Sequence, residues 1–127
     1  MAHRLTLTSS EISRVTFERD ALRLHFSAAL ARPDVKGATT WGHLGGVTLS
    51  FEAAQVQGDL HQALGALTSC ELWMDGALQR DLALPGQAQG EVRACLGFRG
   101  DVSLVLSATG WRSDLPAGAT FHESLAC

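Results

Sequence analysis

The side chains in this sequence best suited to chemistry are its histidines, cysteines, carboxylates and tryptophans. His43, His61 and His122, joined by Cys70 or Cys127, could in principle converge on zinc. Neutral imidazole and thiolate are good zinc ligands, and a site needs three or four of them. No pair has metal-ligand spacing such as H-x-x-x-H or C-x-x-C, so these residues read first as loop or surface positions. Separated ligands can still meet in a β fold, which keeps a small metalloprotein or enzyme using His43 and His61 as an alternative. Cys127 with His122 could form a thiol nucleophile, since a neighbouring histidine promotes the reactive thiolate. The end of a chain is a poor place for such precision. Asp20, Asp75 and Asp101 could serve as acids or bases. Each also falls at an expected turn, where aspartate bonds nearby backbone N–H groups, and that explains all three without catalysis. No G-x-S-x-G, P-loop or G-x-G-x-x-G is present.

Two further features could bind rather than react. Arg99-Gly100-Asp101 has the residues of the integrin-recognition tripeptide, and Gly-Asp is equally ordinary turn chemistry. Trp41 and Trp111 lie in or beside expected loops. Tryptophan offers a flat apolar face with one N–H donor and is enriched at binding hot spots. If those loops meet at one end of the fold, Trp41, His43 and Trp111 form a surface suited to a sugar ring or a partner's side chain. The plainer reading of both tryptophans is peripheral core.

The elements that would position these residues are strands. Val15, Phe17, Leu22, Leu24 and Phe26 alternate with polar residues, and a turn at Arg19-Asp20 sets Phe17 opposite Leu22 and Val15 opposite Leu24. Val92 to Phe98 and Val102 to Ala108 alternate in the same way. A three-residue loop there sets Phe98 opposite Val102 and Leu96 opposite Leu104. Asp75-Gly76 marks a third hairpin, Leu72-Trp73-Met74 against Ala77 to Leu84. Pro85-Gly86 then begins a loop running to Gly90. Val47 to Ala53 fits one more strand. Leu60, Ala63, Leu64 and Leu67 follow helical spacing, with Asp59 at the N-cap, giving a short helix or a single turn over 59–67. Segments 31–46 and 110–118 read as loops. His25 shares a solvated strand face with Arg23 and Ser27, and Cys70 and Cys95 read as small core residues.

About seven short strands at this spacing imply an all-β fold: an antiparallel sandwich, alternatively a small barrel, with one short helix. The 127 residues make one domain, 1–127, with no linker or composition break. Hydrophobic residues at 46 % and charged residues at 18 % argue against disorder. A net charge of −3, with a single lysine, argues against nucleic acid as partner. No run of ~18 apolar residues spans a membrane and no secretory signal opens the sequence, so the expected location is the cytoplasm. The three cysteines, odd in number and far apart, suit a reducing compartment. No cofactor is implied. The expected function is a non-enzymatic binding or protein-interaction module. A homo-oligomeric structural subunit pairing through exposed edges is the third class.

Overall fold

A computed structural model describes residues 2–37 and 40–123. The two long hairpins form in the expected registers. Strand β1 (His3–Glu18) pairs with β2 (Ala21–Pro33), with Phe17 opposite Leu22 and Val15 opposite Leu24. Strand β9 (Gly86–Phe98) pairs with β10 (Val102–Asp114), with Phe98 opposite Val102 and Leu96 opposite Leu104. Between them come β3 (Gly42–Leu44), β4 (Thr48–Glu52), β5 (Gln55–Gln57), β6 (Gly65–Met74), β7 (Ala77–Gln79) and β8 (Leu82–Leu84); β11 (Phe121–Glu123) follows β10. Arg19, Asp20, Asp75 and Gly76 all have positive φ, as tight hairpin turns require.

The all-β fold is a barrel rather than a sandwich. Six strands close it in the order β1-β2-β4-β10-β9-β6, with β6 returning to β1 through Glu11–Ala66 and Ile12–Gly65. That last contact is short, and the segment after β6 fills the remaining gap. β7 pairs with β6, while β8 crosses to pair with β1. The expected single strand from Ala77 to Leu84 is therefore broken at Arg80-Asp81. The break puts exposed Leu78 on one wall and buried Leu82 and Leu84 on the other.

Closure needs strongly bent strands, and β-bulges supply the bend. In β1 the register shifts between Thr6 and Ile12, with Ser9 at φ 72°. The buried Ser10 hydroxyl donates to Thr6 O at 2.6 Å and accepts from Leu30 N at 2.8 Å, replacing the interrupted ladder. The bulge also reverses the phase of burial: Leu5 and Leu7 point inward before it, Ile12 after it.

Several expected loops are strand. β2 runs on to Pro33 and β3 lies within 31–46. Segment 86–90 opens β9, and β10 continues to Asp114. The helix expected over 59–67 is a single 3-10 turn, Leu60–Gln62, capped as expected by Asp59, whose Oδ1 accepts from His61 N at 2.9 Å. Gly65, at φ 94°, opens β6 instead of continuing that turn.

The barrel interior is filled. Phe26, Phe51, Leu24, Leu49, Leu96 and Leu104 are among its fully buried side chains. An opening of about 30 Å³ beside Leu5, Leu7, Cys70 and Leu72 is room for roughly one water molecule.

Candidate functional site

A packed interior leaves the outer faces of the sheet to carry function. Trp41 and His43 lie on one of them. Gly42 and Leu44 of β3 are buried, so His43, between them in the alternation, faces outward. Trp41 is 37 % exposed, and the Arg32 guanidinium sits 5.8 Å above its ring. Arg32 is 3.5 Å from Asp81, which also accepts from Arg4 Nε at 2.9 Å. Trp41 is thus held on one side by a cation that is itself tethered to the β7–β8 crossover.

Trp111 is not in a loop and does not join them. It lies within β10, opposite Phe51 of β4 and Ala88 of β9, and is buried. Its row reaches β2 at Leu22, whereas Gly42, next to Trp41, pairs with Ala31. The cause is a second bulge. The alternation Leu104, Leu106, Ala108 would put residue 111 on the outer face. The register shift between Ala108 and Gly110 reverses the phase and turns Trp111 inward. Gly110 permits this because a Cβ there would meet Ala88 O at 2.9 Å.

His61 is exposed on the 3-10 turn, away from the β2–β3–β11 wall that carries His43. His122 does meet His43: the two are direct partners across β11 and β3. Among the described residues no group of three or more His, Cys, Asp or Glu side chains could hold a metal ion. Cys127, and with it the thiol–His122 pair, lies outside the described residues. Cys70 is half-buried on the inner side of β6, and its thiol is pushed up to about 12 by burial first, then by Cys95 and Glu71. Cys95 is not a core residue; it is exposed on the outer side of β9. His25 lies half-buried on the outer face it shares with exposed Arg23 and Ser27, with Nε2 3.3 Å from Thr16 Oγ1.

One groove lies on the outer face of β6, β9, β10 and β5. It encloses about 710 Å³ and includes Trp73, Arg93, Cys95, Val105, Ser107 and Gln57 in its walls. Strand register builds it. One row runs Leu78–Trp73–Arg93–Ser107–Gln55 across five strands. The adjacent row runs Glu71–Cys95–Val105–Gln57. Leu78 and Val105 are 56 % and 45 % exposed, so apolar surface is offered to solvent at both sides of Trp73 and Arg93. Arg93 is balanced by Glu91, Nε to Oε1 at 3.5 Å. A neighbouring groove of about 500 Å³ shares Gln55, Arg93 and Ser107 and extends along Thr109.

Trp73 and Val105 were missed as site residues by the sequence reading, though a signal existed. Val105 sits between two inward leucines, and Trp73 follows inward Leu72. Each is a large apolar residue on the polar parity of its strand, where core packing does not call for one.

No family model, no curated protein and no solved structure matches the chain. Among the described residues, no helix is long and apolar enough to cross a membrane.

Proposed function

We propose that this chain is a small non-enzymatic binding module whose ligand lies in the outer groove over Trp73. The observation that carries the reading is the row Leu78–Trp73–Arg93–Ser107–Gln55, which sets an aromatic ring and exposed apolar surface beside hydrogen-bonding side chains along one open groove. Ligand sites commonly combine apolar lining with a few placed polar groups. Here the polar groups are mostly neutral: two side-chain amides, a hydroxyl, and an arginine already balanced by Glu91. The matching ligand has an apolar face edged by neutral donors and acceptors, and a sugar ring has that chemistry. The site is built on strands of a filled barrel, so its geometry is in place before binding.

The cytoplasm is the compartment that accords with this reading. Cys70 and Cys95 are both unbridged, as in a reducing environment.

Glycan and peptide arrays probed with the purified chain and with Trp73→Ala test the proposal. The expected result is a glycan signal that falls at least tenfold in the variant while its melting temperature stays near that of the parent. Peptide binding that depends on Trp73 would redirect the module to a protein partner. Array binding unaffected by the substitution would remove the groove as the site, and concentration-dependent dimerisation that the substitution abolishes would make this face a self-association surface instead.

A further inference from the structure

His43 and His122 carry an inference independent of the Trp73 groove. They are directly opposite each other on adjacent antiparallel strands. At such positions the Cβ atoms are about 4.5–5.5 Å apart, and both side chains project from the same face. That face is the outer one: Gly42 and Leu44 flank His43 on the inside, His43 is half-buried and His122 is exposed. Among the described residues neither imidazole makes a hydrogen bond, ion pair or ring contact. Two imidazoles are thereby held side by side.

The local structure also fixes their register. A Cβ on Gly42 would lie 2.5 Å from Phe121 Cζ and 2.6 Å from His122 O, so β11 approaches β3 more closely than any residue but glycine allows. The Phe121 ring stacks on His3 with centroids 5.5 Å apart, which seats β11 against the start of β1. On its other side His43 pairs with Leu30 of β2, so its strand cannot slide.

We propose that His43 and His122 form a two-histidine chelate for a borderline divalent transition cation, Zn²⁺ foremost, with solvent completing the coordination. Zinc accepts imidazole nitrogen at about 2.0–2.1 Å, and two rings projecting from opposed Cβ atoms can place one nitrogen each at that distance from a common point. Two protein ligands fall short of the three or four that a catalytic or closed structural site uses, so the site is a weak, open and exchangeable one. A site of this kind does not stabilise the fold as structural zinc does, and its metal exchanges with solution.

The test is calorimetric titration of Zn²⁺ into the full chain and into His43→Ala, His122→Ala and His61→Ala variants. The expected result is one ion bound per chain, with affinity reduced at least tenfold by either of the first two substitutions and unchanged by the third. Parallel thermal melts of the metal-free variants should match the parent, because neither ring supports the fold. Absence of saturable binding overturns the proposal. So does binding that survives both His43→Ala and His122→Ala, which would place the ion on thiols or elsewhere.

Discussion

At the scale of single residues, His25 has the clearest measurable consequence. Its pKa is lowered by burial first, then by the charges of Arg14, its cross-strand partner, and Arg23, two residues away on the same face. The folded protein therefore binds a proton at His25 less readily than the unfolded chain, whose histidine titrates near ~6.5. His25 contributes fully to stability above that pH, and the contribution is lost as pH falls through the unfolded value and on through the lower folded one. An NMR titration of the His25 ring should give a midpoint below ~6.5 that rises in Arg23→Ala. A midpoint at or above the ordinary value would contradict the placement of this ring beside two guanidinium groups. The sequence puts Arg23 on the same strand face. The same hairpin register that sets Val15 opposite Leu24 brings Arg14 opposite His25, ahead of the shift towards Ile12.

At the scale of elements, hairpin registers were legible and bulges were not. Tight turns at Arg19-Asp20, Asp75-Gly76 and Gly100-Asp101 need positive φ, and the residue types show it. Alternation on each side then fixes which apolar residues face each other. A bulge leaves no comparable mark: it reverses the alternation, and in sequence a reversed alternation reads as the end of a strand. This is why residues 3–11 give no strand signal, why 110–114 read as loop, and why Trp111, whose plainer reading as peripheral core holds, is placed beside a loop rather than within a strand. The short strands β3, β5 and β11 escaped for a different reason. Three residues are too few for a period, and they form only because longer neighbours offer edges.

Strand parity in β10 can be tested on two neighbours. Leu104 is fully buried and Val105 is 45 % exposed. Leu104→Ala should cost about 2–5 kcal/mol, from lost burial plus the cavity left behind. Val105→Ala should change stability by no more than about 0.5 kcal/mol. Denaturant unfolding of the two variants checks both values, and equal losses would mean that the wall of the barrel is not two-sided at this point.

At the scale of the whole molecule, the division is between a filled interior and a furnished exterior. Barrels of this size can enclose a small ligand only when side chains leave the lumen open. Here leucines and phenylalanines from six strands occupy it. Conspicuous residues then collect outside, in three places: the Trp73 groove, the Trp41–His43–His122 wall, and a polar groove of about 570 Å³ holding His25, Arg23, Arg112 and Asp114. In the last, Arg112 Nε is bound to Asp114 at 3.1 Å, so its charges largely answer each other. Of the three, only the Trp73 groove combines an aromatic ring, exposed apolar neighbours and neutral hydrogen-bonding groups. Chemical-shift mapping of the isotope-labelled chain with its best array ligand tests this most directly. The amides expected to move most are those of residues 55–57, 73, 93–95 and 105–107, which face one another across β5, β6, β9 and β10. Shifts centred on Trp41 and His43, or on the inward leucines, would contradict it.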